Sequence, residues 1–209
     1  RGLRRIRPLH PISGVLLALR ADLLLAAPEP ALAALDAVRW QYNTIALPLA
    51  AQVPVDLILT QLDRIAGFAE FIINLPSTAG TLGLTLPPRD GKASIQTAVR
   101  ERLTAPDGLL DWVRQRCHAL VTRAEPGTSK QPRLYGFWQQ FDRLAAQASI
   151  AAGRLADLPL PGGDPLRVRG LYFTCAEPDP IAPEDQWMTA LAQRLGSALP
   201  PTEVNVPVA

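Results

Sequence analysis

Few side chains in these 209 residues could act as nucleophiles or metal ligands: two histidines, His10 and His118, and two cysteines, Cys117 and Cys175. That is too few for a zinc site, and two cysteines make no disulfide framework. Cys117 and His118 are adjacent, and neighbours on a helix point about 100° apart, so they do not face each other. The pair reads as a core thiol beside a surface imidazole. No H-E-x-x-H, G-x-S-x-G or G-x-G-x-x-G occurs. A phosphate cradle of the form G-x-x-x-x-G-K-S/T is absent as well. Lys92 follows Gly91, but Ala93 comes next and Leu86 holds the first glycine position, while Lys130 follows Ser129. The acid pairs Glu177 with Asp179 and Glu184 with Asp185 sit beside prolines, which suits helix capping and solvation better than catalysis.

Two further groups close apolar runs. Thr60-Gln61-Leu62-Asp63 ends the run from Val53 and precedes Arg64. In GTPase-type folds an N/T-K-x-D motif occupies such a turn: its Asp accepts two hydrogen bonds from the guanine edge and its Lys stem covers the ring. T-x-x-D alone is common, and an Asp before a helix is usually a cap. Thr174-Cys175-Ala176 ends another run. Ligands gather at strand C-termini in open α/β sheets, though a small residue under the sheet rim needs no such role.

The elements that would position these groups follow from periodicity. Gly14 to Leu19, Val53 to Thr60 and Val168 to Cys175 are short apolar runs, as expected of strands buried on both faces of a parallel sheet. Between them lie helical patterns, the habit of βαβ crossovers. Pro30 to Leu47 places Ala31, Leu35, Val38 and Tyr42 on one face, with Pro28 and Pro30 at its start. Ile65 to Leu75 is a short apolar helix, and Pro76 to Gly91 reads as loop. Three more helices are expected: Ser94 to Leu103, Asp107 to Thr122 with Asp107 as N-cap, and Leu134 to Leu155 with Phe137, Phe141, Leu144 and Ala148 in register. A final helix from about Pro183 to Leu199 and an extended tail from Thr202 close the chain.

Composition bounds the reading. With 48% hydrophobic and 19% charged residues there is enough apolar content for a core and too much for disorder. A net charge of +2 argues against a nucleic-acid binder. Only Lys92 and Lys130 of the 21 basic residues are lysines. The basic start, Arg4, Arg5 and Arg7, could meet phosphate or lipid headgroups or be a solvated connection. The apolar stretch Ile12 to Val38 is broken by Arg20, Asp22 and Glu29, so no membrane span is expected, and no signal peptide is evident. The only methionine is Met188, which points to a piece of something longer.

Taken in order, several blocks resemble the TssM/IcmF family of type VI secretion systems, in the second half of its cytoplasmic GTPase-like region. Arg7-Pro8 and Pro11-Ile12-Ser13-Gly14-Val15, then Ala21-Asp22-Leu23-Leu24, resemble R-P-x-x-P-I-N-G-V and A-D-L-L. Val53-Pro54-Val55 through Thr60-Gln61-Leu62-Asp63, then Gly67-Phe68-Ala69-Glu70-Phe71, resemble P-V-Y-x-x-x-T-K-x-D and G-F-x-E-F-F. Leu82 to Pro87, Gly136 to Phe141 and Arg169 to Ala176 resemble W-G-x-T-L-P, F-P-Q-Q-F and R-G-x-Y-F-T-S-A. Gln61 departs from the family's Lys, and Trp138 from a proline.

The fold implied is α/β, a partial P-loop-NTPase-like parallel sheet with three recognisable strands, flanked by helices and carrying a helical insertion. Residues 1–91 would be the second half of the core, 92–165 the insertion, and 166–209 the last strand, a C-terminal helix and a tail. The resemblance implies a non-enzymatic scaffold at the cytoplasmic face of the bacterial inner membrane, part of a longer membrane protein. Its partners would be a TssL-type inner-membrane subunit and TssK-like baseplate proteins. The alternative is a nucleotide-switch domain completed by an upstream phosphate loop. Thr60, Asp63, Thr174, Cys175 and Ala176 would then form a base pocket, and GTP or ATP would bind only with that upstream half. An unrelated α/β interaction domain is the third possibility.

Overall fold

A computed structural model of the chain describes residues 12–26, 28–49, 53–75, 82–86, 94–124, 130–157 and 166–175. The three apolar runs are strands: β1 (Val15–Arg20), β2 (Val55–Thr60) and β4 (Val168–Phe173). β1 pairs with β2 and β2 with β4, both parallel. Among the described residues the helices are α1 (Ala21–Leu25), α2 (Pro28–Leu49), α3 (Phe68–Ile72), α4 (Ile95–Thr104), α5 (Leu109–Arg123) and α6 (Lys130–Ala156), with a 3-10 turn at Leu62–Arg64. The result is an α/β fold with a mostly parallel sheet of four strands and flanking helices.

The fourth strand corrects the sequence reading. Gly83–Thr85 lies in a stretch expected to be loop, yet it forms β3, antiparallel to β4 at the sheet edge. Three residues are too short to show a period-two pattern, and the strand exists only because distant β4 offers a ladder. The order is β1-β2-β4-β3.

Burial on both faces is also corrected for β1. Partners across a parallel ladder share a face, so Leu17, Leu57 and Leu171 form one layer, and Leu19, Leu59 and Phe173 the next. All six are buried. On the opposite face Ala18 and Arg20 are exposed and Leu16 is 66% exposed. Asp56 of β2 is buried there through a bulge in β4. Arg169 is the extra residue, and its Nε donates to Asp56 Oδ1 at 3.1 Å while Nη2 donates to Oδ2.

Helix α6 is the spine of the helical layer. Leu134, Phe137, Phe141, Leu144 and Ala148 are buried along it at helical spacing. Phe137 stacks against Phe71 with ring centroids 4.9 Å apart, and Phe141 against Phe173 at 5.0 Å, which ties α3, α6 and β4 together. α6 begins at Lys130, a turn earlier than expected, because Pro132 falls in the first turn, where no N–H is needed. Gly153 lets α4 come close: a Cβ there would stand 2.7 Å from the Gln96 Cβ. α5 starts after Asp107, not on it. Asp107 takes φ 60° and Gly108 is the N-cap, with no side-chain cap. α4 is capped by Ser94, whose Oγ accepts from Thr97 N at 3.1 Å. The helix expected at 183–199, the tail, His10, Arg4, Arg5, Arg7 and Lys92 lie outside the described residues.

Candidate functional site

β2 and β4 run parallel, so their C-terminal ends must lie side by side. Thr174 N donates to Leu59 O at 2.8 Å, and Leu62 N reaches Thr174 O at 3.4 Å. Thr60, Asp63, Thr174 and Cys175 are thereby gathered at one rim of the sheet. Ala176, the remaining member of the expected pocket, lies outside the described residues. Thr60 Oγ1 is turned away from the rim to donate to Leu19 O at 3.3 Å, which locks the end of β2 to β1.

Gln61 turns the chain. It sits in the left-handed region, φ 61° and ψ 39°, and reverses the strand into the 3-10 turn within one residue. Such a conformation is uncommon for a residue with a side chain and clusters at functional sites. The turn has no side-chain cap, so Asp63 is not the helix cap its position suggested. Its Oδ1 is shielded from water and, among the described residues, has no hydrogen-bond partner, and the same holds for Oε1 of Gln61. Buried polar atoms are nearly always satisfied, and each orphan costs about 1–3 kcal/mol. Burial pushes the Cys175 thiol pKa up, and the negative charge of nearby Asp63 raises it further.

Next to this pair lies an ionic link that the sequence did not reveal. Arg20 at the end of β1 donates through Nε to Asp22 Oδ1 at 3.0 Å, and Arg64 of the 3-10 turn stands 3.7 Å from Asp22 Oδ2. The hydrogen bond from Arg20 holds the Asp22 carboxyl below the usual carboxylate range despite partial burial. The only sequence signal was the A-D-L-L block, whose Asp proves to join the ends of β1 and β2.

The remaining candidates separate as a helix dictates: Cys117 is buried and His118 exposed. Desolvation pushes the Cys117 thiol up to about 12, so it is no nucleophile at neutral pH. Among the described residues, no three His, Cys, Asp or Glu side chains group as metal ligands.

A nucleoside triphosphate fits these residues poorly. Asp63 could accept from a guanine edge, but Gln61 lacks the stem that would cover the ring. The N–H groups of Leu62, Arg64, Ile65 and Thr174 are all engaged with backbone carbonyls. The chain also has no phosphate loop.

Fold and rim together define an α/β protein with a mostly parallel four-stranded sheet, consistent with a partial NTPase-like fold. A model of the IcmF-related N-terminal domain matches residues 1–205, and the chain belongs to that family. It is similar to the type VI secretion system component TssM1 of Pseudomonas aeruginosa, 29% identical over 199 residues. That match covers 92% of this chain and 17% of the relative, so the chain spans about a sixth of the protein it resembles. No solved structure matches it. Among the described residues, no helix is long and apolar enough to cross a membrane.

Proposed function

We propose that the chain is a structural module of a type VI secretion system, at the cytoplasmic face of the inner membrane as part of a longer membrane protein. In this reading it links a TssL-type inner-membrane subunit to TssK-like baseplate proteins and performs no catalysis of its own. The observation that carries the reading is where large apolar side chains face water. Ile73 at the end of α3 is 75% exposed, Trp40 on α2 70% and Tyr135 on α6 51%. Ile73 and Trp112 occupy one corner, since Trp112 meets Phe71 edge-on at 6.0 Å and Arg116 donates to the Asn74 carbonyl. Contiguous exposed apolar surface marks sites of protein association. The helical block 92–158 and the edge of β1, which has no second partner strand among the described residues, are the candidate docking surfaces. An unpaired edge presents N–H and C=O groups that a partner strand can use.

Purified TssL-type and TssK-like proteins from the same secretion system, titrated against this chain by calorimetry, test the reading. Binding to either, weakened at least tenfold by Ile73→Asp with Trp112→Ala, is expected. No binding to either, together with micromolar binding of labelled GTP or ATP, overturns it in favour of a nucleotide switch.

A further inference from the structure

Every described helix touches α6, and α6 lies on the face of the sheet that carries Leu17, Leu57, Leu171 and Phe173. Topology explains why. The steps from β1 to β2 and from β2 to β4 go the same way along the sheet, and right-handed crossovers that step one way return over one face. The opposite face therefore has no helix over it among the described residues, although a parallel sheet is almost always covered on both faces. That face is apolar at its middle. Ala18, Ile58 and Tyr172 form one row across β1, β2 and β4, with Leu16 at its margin. Ala18 is exposed, and Ile58 and Tyr172 are half-buried. Tyr172 leans down onto the strands: a Cβ at Gly170 would stand 2.7 Å from its ring, and one at Gly83, its partner on β3, 2.5 Å. Strands about 4.8 Å apart make the row about 10 Å wide, the diameter of one helix.

We propose that this row is the docking site of the chain's own residues 183–199, seated on it as an amphipathic helix. The chain leaves β4 at Cys175 with residues 176–209 still to follow, and the family match extends past the segment to residue 205. Within 183–199, Trp187, Leu191, Leu195 and Leu199 recur every four residues, with Met188 and Ala198 inside the same arc. Asp185, Thr189, Gln193 and Ser197 fall on the other side. As a helix this stretch is about 25 Å long, against about 20 Å for a six-residue strand, so it spans the sheet from end to end. Residues 176–182 reach up to about 23 Å when extended, enough to turn over the rim and reverse direction. The other face has no room for it, because Leu57, Leu59 and Leu171 are already completely buried there. The inference rests on the unequal faces of the sheet and does not depend on which partner the module has.

The test uses the whole chain with a photoreactive benzophenone on the exposed strand, Ala18→p-benzoylphenylalanine, and maps its adducts by mass spectrometry. Adducts within residues 183–199 of the same chain are expected, at a yield independent of protein concentration. Leu191→Asp should cut that yield about tenfold or more, since it forces a charge into an apolar contact, while Thr189→Asp on the polar side should leave it unchanged. Hydrogen exchange of the unaltered chain gives a second reading that no variant can spoil. Amides 186–199 should exchange about a hundredfold or more slower than free peptide, because a helix of this length is marginal without packing. Adducts between two chains, growing with concentration, would make the face a dimer interface and overturn the proposal. Unprotected amides at 186–199, adducts confined to other residues, or no adduct at all would overturn it too.

Discussion

Gly67 shows how much one residue can decide. Its φ is 84°, and a Cβ there would run into the backbone carbonyl of Arg133 and stand 2.8 Å from the Phe137 Cβ. Left-handed strain and overpacking act together, so Gly67→Ala should cost roughly 2–4 kcal/mol, read from the urea midpoint at constant m-value. Cys117 makes a prediction of different sign with pH. Its thiol is held neutral up to about 12, against 9.0 for the free group. The folded state therefore keeps a proton that the unfolded chain gives up. That contribution is complete below pH 9 and disappears as pH climbs toward 12. Stability should fall at up to roughly 1.4 kcal/mol per pH unit in that window, and Cys117→Ala should flatten the slope. In the native state at neutral pH a thiol reagent should add once, at Cys175, and mass spectrometry distinguishes the two sites.

At the scale of elements, α6 carries the aromatic spine, and its two faces should respond differently to truncation. Phe137 is buried and meets Phe68, Phe71 and Phe141. Phe137→Ala should cost about 3–5 kcal/mol, whereas Tyr135→Ala on the opposite side should stay within about 0.5 kcal/mol, both by chemical denaturation. This contrast was readable in advance, because Phe137, Phe141, Leu144 and Ala148 repeat at the helical period and all are buried. Other elements were not readable. α1 has five residues and β3 three, too few for any period, and β3 needs a partner far along the chain. Asp107 looked like a cap by type, yet its backbone is left-handed and the cap passes to Gly108. Side-chain preference could not reveal a backbone angle fixed by the α4–α5 turn.

For the whole molecule, the sheet has unequal faces. Apolar runs led to the expectation of burial on both sides, but Leu16 is largely exposed on the face opposite the helices. Leu16→Lys should therefore leave the melting temperature nearly unchanged and reduce concentration-dependent light scattering, since it places a charge on an edge strand. Of the site, the meeting of Thr60 and Asp63 with Thr174 and Cys175 was legible, because parallel neighbours end at the same rim. The bridge through Asp22 and the Gln61 Oε1 left without a partner among the described residues were not. Both depend on which of many nearby groups are already bonded, and no spacing in a single chain records that.

Helix α6 has 27 residues and is about 40 Å long, with aromatic rings gripping β4 at Phe141 and α3 at Phe137. A beam of that length, riveted at intermediate points, does not bend independently of what it is riveted to. Displacing the end near Lys130 would therefore act on α3 through Phe137 and on β4 through Phe141.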